Sequence, residues 1–289
     1  MTILVQLEND SDKINALLGK DLPSYRQAYS DRTAWLMACL SELAYMKFNP
    51  LLKGKKDKEK ILDVIKSVTD KGRKDKLAAL IGLMEHDHEA AKREMEKGLE
   101  YLGLKLIETF DREGTQAILV RNDKFIALAF RGTEATSIRD IKADLKANTV
   151  SCDSGGTVHS GFNEAFNHVV WDIQSRLNKD DLKDKPLFIA GHSLGGALAT
   201  IAAKRILHKG GIAACYTFGS PRVGNEEWAT GIRPCIYRVV NSADCVTMVP
   251  PPAIFMQVAA RFAGCFHRQL NHGCCQILKV IIILATCVI

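Results

Sequence analysis

One short segment of the chain carries the residue types needed for nucleophilic catalysis. Residues 187–198 read L-F-I-A-G-H-S-L-G-G-A-L and contain the pattern Gly-x-Ser-x-Gly around Ser193. An apolar run precedes the pattern and an alanine-rich stretch follows it, which is the strand–turn–helix context of a nucleophile elbow. In such a turn the backbone N–H of Leu194 lies at a helix N-terminus, where developing negative charge is stabilised. The pattern predicts a nucleophilic serine, and a glycine-rich turn without catalytic role is the structural alternative.

A second motif offers a partner for this turn. Residues 125–133 read F-I-A-L-A-F-R-G-T, an apolar strand that ends in Arg-Gly-Thr. In an α/β-hydrolase sheet the second oxyanion donor comes from the loop after an earlier strand. Thr133 could supply both a backbone N–H and a hydroxyl at that place. Many strands end in Gly-Thr, so this motif indicates an oxyanion donor only in combination with the Gly-x-Ser-x-Gly pattern.

The elements that must position these residues alternate between strands and helices. Three β-rich runs over 102–132 come first, separated by turn-like residues. The later pattern predicts a helix over 162–177, a strand over 187–190, a helix over 197–207, and strands over 213–217 and 235–240. Alternation at this spacing is typical of an α/β fold with a mostly parallel sheet and helices on both faces.

The domain organisation follows from length and from changes of composition. The 289 residues contain no internal repeat and no proline-rich linker, so we expect a single domain over 1–289. Residues 1–100 form a helical N-terminal elaboration, with a helix over 25–48 and a charged insertion over 51–100. Residues 101–264 form the core, and residues 265–289 form an atypical tail.

Composition and charge exclude several classes of protein. The chain is 47% apolar and 25% charged, which excludes disordered, collagen-like and multi-span membrane proteins. The net charge is +6, and residues 53–76 hold ten Lys or Arg against five Asp or Glu. We interpret this run as a solvated helix face, with a membrane-surface patch as the alternative. Since the rest of the chain is nearly neutral, no nucleic-acid partner is expected.

The cysteines and the N-terminus lead to an expectation about location. The chain has nine cysteines, an odd number without the spacing of a secreted disulfide framework. The N-terminal residues MTILVQLEND lack the features of a signal peptide. We therefore expect reduced thiols and a cytoplasmic location. The adjacent pair Cys274 and Cys275 lacks an accompanying CxxC pair, so no metal site is expected.

Five motifs occur in an order that resembles a known family. They are AFRGT (129–133), VHSGF (158–162), IAGHSLGGALA (189–199), YTFGSPRVGN (216–225) and YRVVNSADCVTMVPP (237–251). The chain resembles the class 3 (fungal-type) lipases over residues 25–50 and 101–255. The resemblance implies an α/β-hydrolase fold and a serine ester hydrolase of lipid metabolism. Its substrate would be a lipid or a small acyl ester, cleaved through an acyl-enzyme without a cofactor, in transient contact with a lipid surface.

The resemblance also assigns site residues. It makes Ser193 the nucleophile, Thr133 and Leu194 the oxyanion residues, and Asp244 the acid of the triad. An ordinary turn residue is the alternative for Asp244. His159, in VHSGF, precedes the serine and is interpreted as a structural residue that packs near the site.

The resemblance also covers a histidine next to the serine and a lid segment. His192 is interpreted as a residue that stacks beside the site without acting as the base. The lid of the family corresponds to residues 134–148, where Ile138, Ile141 and Leu145 form a narrow apolar face among charged residues.

The base of the triad is where the pattern departs from the family. The base must follow the acid in the chain of this fold, which leaves His267 and His272, and we assign His272. The family pattern fades after Gly264, and we interpret 265–289 as a truncated or frame-shifted tail with an apolar, strand-like end. The alternative to an active enzyme is therefore a catalytically impaired remnant that lacks the base and acts at most as a lipid-binding protein. A serine peptidase or thioesterase fits the five motifs less well.

Overall fold

A computed structural model describes residues 11–19, 22–23, 28–46, 87–132, 149–152, 155–241 and 281–286. In chain order the helices and strands are α1 (Ser11–Leu18), α2 (Asp31–Leu43), α3 (His88–Tyr101), β1 (Lys105–Arg112), β2 (Thr115–Arg121), β3 (Ile126–Phe130), β4 (Thr149–Ser151), β5 (Thr157–His159), α4 (Ser160–Leu177), β6 (Leu187–His192), α5 (Leu194–Arg205), β7 (Ile212–Phe218), α6 (Glu226–Thr230), β8 (Ile236–Asn241) and β9 (Ile281–Thr286).

Seven of these strands form one mixed sheet in the order β1-β2-β3-β6-β7-β8-β9. The four central strands, β3, β6, β7 and β8, are parallel to one another. The flanking pairs β1–β2, β2–β3 and β8–β9 are antiparallel. A separate antiparallel pair, β4 and β5, lies outside the main sheet. The predicted α/β class is confirmed, with its parallel portion in the centre of the sheet.

Helices cover both faces of the sheet, as the sequence predicts. Side chains alternate between the two faces along each strand. On one face, Leu128 and Ile189 pack in a buried cluster with α4 and α5. On the other face, Phe188 and Tyr216 pack in a second cluster with α2 and α3. Because β6 is covered on both sides, it is a continuous apolar run, which is typical of a central parallel strand.

The helical N-terminal region is part of this second layer. Helix α2 begins at Asp31 because the Ser30 side chain accepts a hydrogen bond from the Thr33 N–H, 3.3 Å away. It ends at Leu43, so it is shorter than the helix predicted over 25–48. Helix α3 begins inside the predicted insertion over 51–100, ends one residue beyond it, and buries Met95 and Leu99 against the sheet layer. Most of that insertion, residues 51–86, lies outside the described residues.

The apolar C-terminal run predicted to be strand-like contains β9. This strand pairs antiparallel with β8, from Ile236 opposite Thr286 to Asn241 opposite Ile281. Strand β8 is therefore paired on this edge along its whole length. Among the described helices, none is both long and apolar enough to cross a membrane.

Candidate active site

Ser193 occupies a strained turn at the carboxyl end of β6. Its backbone has φ 54° and ψ −125°, a conformation that residues other than glycine rarely adopt. The residue is 5% exposed, and helix α5 begins directly after it at Leu194. Its carbonyl oxygen accepts a hydrogen bond from the Gly196 N–H, 2.9 Å away, in the first turn of α5. Strain of this kind is found where surrounding structure holds a functional side chain in place.

The two glycines that flank the serine allow the helix to approach the sheet. A Cβ atom on Gly191 would overlap the carbonyl group of Gly195, one turn away across the elbow. A Cβ atom on Gly195 would overlap the carbonyl oxygen of Phe130, at the end of β3. Glycine at both positions is therefore required by close contact between β3, β6 and α5, as the Gly-x-Ser-x-Gly pattern predicts.

Leu194 is the first residue of α5, so its N–H points out of the helix N-terminus. The first N–H groups of a helix have no partner within the helix and carry partial positive charge. In the sheet register, Phe130 pairs with Gly191 and His192 pairs with Phe218, so the carboxyl ends of β3, β6 and β7 meet at this point. Ligands of α/β sheets bind outside the carboxyl ends of the parallel strands.

Tyr45 contacts this edge from the end of α2, and the motifs of the sequence do not point to it. Its hydroxyl oxygen lies 2.9 Å from His192 Nδ1, and the two rings are tilted with centroids 5.8 Å apart. The same hydroxyl lies 3.4 Å from the His192 carbonyl oxygen. Burial raises the pKa of Tyr45 to about 12, against the lowering effects of Arg131 and of the Gly132 N–H. The phenol is therefore neutral at any ordinary working pH.

Arg131, the residue after β3, is hydrogen-bonded to Gln116 on the neighbouring strand β2. The Arg131 N–H donates to the Gln116 carbonyl oxygen at 2.9 Å, and Arg131 Nη1 donates to Gln116 Oε1 at 2.5 Å. These bonds continue the β2–β3 pairing beyond Phe130. They fix the direction in which the chain leaves the sheet toward Gly132.

His159 is buried at the junction of β5 and α4. It is 7% exposed, and its ring stacks on Phe162 with centroids 4.2 Å apart. Neither ring nitrogen has a hydrogen-bond partner among the described residues. Burial lowers the pKa of His159, because the charged imidazolium would be desolvated. The ring is thus a neutral packing group, in agreement with its interpretation as a structural residue.

The predicted site residues divide into two groups. Ser193 and Leu194 lie together at the elbow, while Thr133, Asp244, His272 and the lid over 134–148 lie outside the described residues. His267, the other candidate base, lies outside them as well. Within the described part of the chain, no group of three or more His, Cys, Asp or Glu side chains could hold a metal ion.

The central parallel sheet and the strained serine between β6 and α5 define the α/β-hydrolase fold. Residues 127–254 match the family model described as lipase (class 3). The lipase from Rhizopus microsporus var. chinensis shares this fold, with a TM-score of 0.51 and 24% identity over 81% of this chain and 77% of that one. The resemblance seen in the sequence is confirmed over this segment, which is similar to the class 3 lipases.

Two curated relatives are named as hydrolases of different classes of lipid ester. The secreted mono- and diacylglycerol lipase 1 of Fusarium solani is 35% identical over 136 residues, which are 44% of this chain and 40% of that protein. A chloroplastic phospholipase A(1) of Arabidopsis thaliana is 31% identical over 153 residues, covering 43% of this chain and 33% of that protein. The chain spans between a third and a half of the length of the curated relatives it matches.

The prediction of a cytoplasmic location is wrong by this comparison. Relatives from Fusarium solani and Malassezia globosa are secreted lipases. Cysteine spacing was a poor guide because buried thiols are inert in an oxidising compartment as well as in a reducing one. Cys39 and Cys215 are free and buried, and burial raises the pKa of both thiols, that of Cys39 to about 12.

Proposed function

We propose that this chain is a serine ester hydrolase that cleaves acyl esters of lipids through an acyl-enzyme on Ser193. The observation that carries the proposal is the strained, buried Ser193 directly ahead of the free N-terminus of α5, within a segment similar to the class 3 lipases. The relatives named as mono- and diacylglycerol lipases and as a phospholipase A(1) support a lipid ester as the substrate. The secreted relatives support an extracellular place of action.

The reaction follows from the position of the serine. Ser193 Oγ attacks the ester carbonyl carbon, and the carbonyl oxygen becomes an oxyanion that the Leu194 N–H and Thr133 stabilise. The base takes the proton of Ser193 Oγ and delivers it to the leaving alkoxide, so that the alcohol departs and the acyl group stays on the serine. Water then attacks the acyl-enzyme by the same route and releases the fatty acid.

Asp244 and His272 are proposed as the acid and the base of this triad. Asp244 follows the last residue of β8, Asn241, by three positions. Strand β8 is parallel to β7, with Val239 opposite Phe218, so it ends at the same edge of the sheet as β6. This placement supports an acid close to the serine, since catalytic residues of α/β-hydrolases follow the carboxyl ends of such strands.

A second candidate function is a lipid-binding remnant without hydrolase activity. The observation that favours it is the extent of the family match, which ends at residue 254, before both His267 and His272. A serine without a base is a weak nucleophile, and loss of one triad member lowers the rate by several orders of magnitude. The two functions differ in whether Ser193 is activated.

Labelling with a fluorophosphonate separates the two candidates, because the probe reacts rapidly only with an activated serine. We expect labelling of the wild-type protein, its loss in Ser193→Ala, and its retention in Ser175→Ala, a matched change at an exposed serine of α4. His272→Ala and His267→Ala then identify the base. Absence of labelling in a wild-type protein with a native circular dichroism spectrum would contradict the hydrolase and favour the remnant.

The substrate class is tested on the same protein. Hydrolysis of a diacylglycerol and of a phosphatidylcholine, each presented in mixed micelles, is measured by release of fatty acid. The relatives support both headgroup classes, so the ratio of the two rates identifies the preference of this chain. If the protein reacts with the fluorophosphonate but releases fatty acid from neither ester, lipid specificity is contradicted.

A further inference from the structure

The Tyr45 hydroxyl lies between the ends of the two strands that lead into the candidate site. On the β6 side it lies 2.9 Å from His192 Nδ1 and 3.4 Å from the His192 carbonyl oxygen. On the β3 side it lies against the Gly132 backbone, whose N–H lowers the pKa of the Tyr45 hydroxyl. A Cβ atom on Gly132 would overlap this hydroxyl, so glycine is needed there for the contact to form. One phenol therefore contacts both His192, the last residue of β6, and Gly132, two residues after the end of β3.

Each of these strand ends is one step from a group assigned to the reaction. His192 is followed by Ser193 and Leu194, and Gly132 is followed by Thr133. Two oxyanion donors stabilise the same oxygen only when their separation is held constant, since a displacement of about 1 Å can cost a hundredfold in rate. We infer that Tyr45 is a positioning residue that holds the two oxyanion segments at their working separation. The inference rests on the proposed hydrolase function.

The hydroxyl is suited to this task because it is rigidly held. Tyr45 follows α2, and its N–H donates to the Glu42 carbonyl oxygen at 2.9 Å. Helix α2 buries Met37, Leu40 and Leu43 completely against the sheet. The ring is thus attached to an element that cannot shift without opening the core. Because burial raises the pKa of Tyr45 to about 12, the hydroxyl keeps its proton and can both accept and donate.

The test compares Tyr45→Phe with Tyr101→Phe, a matched change at the last residue of α3, away from the site. Tyr45→Phe should lower kcat on p-nitrophenyl butyrate about tenfold while KM stays within about twofold. It should weaken a trifluoromethyl ketone, whose adduct with Ser193 carries an oxyanion, by a similar factor. Tyr101→Phe should leave both quantities and the melting temperature at the wild-type values.

Several outcomes overturn the inference. The inference is overturned if Tyr45→Phe has the same kcat and the same ketone inhibition as the wild-type protein. It is also overturned if Tyr45→Phe raises KM alone, because that result indicates a substrate contact instead of positioning. If Tyr45→Phe does not fold, hydrogen exchange at the Gly132 amide of the wild-type protein takes its place. Slow exchange, comparable with that of the β3 amides, supports the inference, and rapid exchange overturns it.

Failure of the proposed hydrolase function and failure of the positioning role alone give different results. A folded wild-type protein without hydrolysis or ketone binding would contradict the hydrolase and, with it, the positioning role. In that protein, loss of Gly132 amide protection in Tyr45→Phe would assign the hydroxyl a structural role only. An active wild-type protein with an unaffected Tyr45→Phe variant overturns the inference and leaves the hydrolase standing.

Discussion

The backbone N–H of Ser193 donates a hydrogen bond to the carbonyl oxygen of Phe218, 2.9 Å away. Phe218 is the last residue of β7 and pairs with His192 in the sheet register. The bond therefore extends the β6–β7 pairing one residue into the elbow. A positive φ at a non-glycine residue costs about 1–3 kcal/mol, and bonds to the sheet hold the backbone in that conformation. The nucleophile is fixed by the parallel sheet as well as by the turn.

Replacement of Gly195 by alanine should destabilise the protein and disturb the elbow. The new Cβ would overlap the Phe130 carbonyl oxygen and crowd backbone atoms of Arg131, so α5 would have to move away from β3. We expect a loss of about 1–3 kcal/mol in the free energy of unfolding and slower fluorophosphonate labelling. Gly161→Ala is the control, since a Cβ there meets His159 Cε1 at 3.4 Å, an acceptable contact. Equal stability of both variants would contradict the packing argument.

Replacement of Leu40 by alanine tests whether the N-terminal helices belong to the same cooperative unit as the sheet. Leu40 is completely buried in the cluster that α2 forms with β3 and β6. Truncation should lower the free energy of unfolding by about 2–5 kcal/mol, measured by urea denaturation. Glu42→Ala, an exposed change on the same helix, should stay within about 0.5 kcal/mol. If the urea midpoint of Leu40→Ala equals that of the wild-type protein, α2 unfolds separately from the sheet.

The buried His159 should make the protein less stable in mild acid. Since burial lowers its pKa in the folded state, the unfolded chain binds the proton first as the pH falls. The free energy of unfolding should therefore decrease below the ordinary histidine pKa of about 6.5. His159→Phe keeps a ring against Phe162 and should flatten this decrease, whereas exposed His168→Phe should not. Identical acid slopes for wild type and His159→Phe in urea titrations would refute the assignment.

Replacement of Asp244 by asparagine tests the proposed acid. If Asp244 orients the base, its loss should lower kcat about 10⁴-fold with little change in KM. Asp123→Asn, at an exposed turn before β3, is the matched control and should keep wild-type activity. Kinetics on p-nitrophenyl butyrate, with circular dichroism to confirm folding, would measure both. Retention of activity in Asp244→Asn would assign this residue to an ordinary turn.

The central part of the fold could be predicted from the sequence because its signals are local. An apolar run between turn residues identified β6, and the Gly-x-Ser-x-Gly pattern identified the turn after it. The predicted start of the following helix, at residue 197, is three residues later than the observed start at Leu194. Gly195 and Gly196 have low helix propensity, which conceals the first turn of α5. Tertiary contact with β3 decides that these glycines are helical.

Local patterns in the sequence were enough to predict the α/β class, the chain order of the strands in the main sheet and the serine at the elbow. Each of these depends on periodicity or on a few adjacent residues. The position of Tyr45 between His192 and Gly132 follows from the folded chain alone, since Tyr45 and His192 are 147 positions apart in the sequence. The folded chain also places Met95 and Leu99, inside an apparently polar insertion, in the core. Contacts over such separations depend on packing of the whole sheet, which no local pattern encodes.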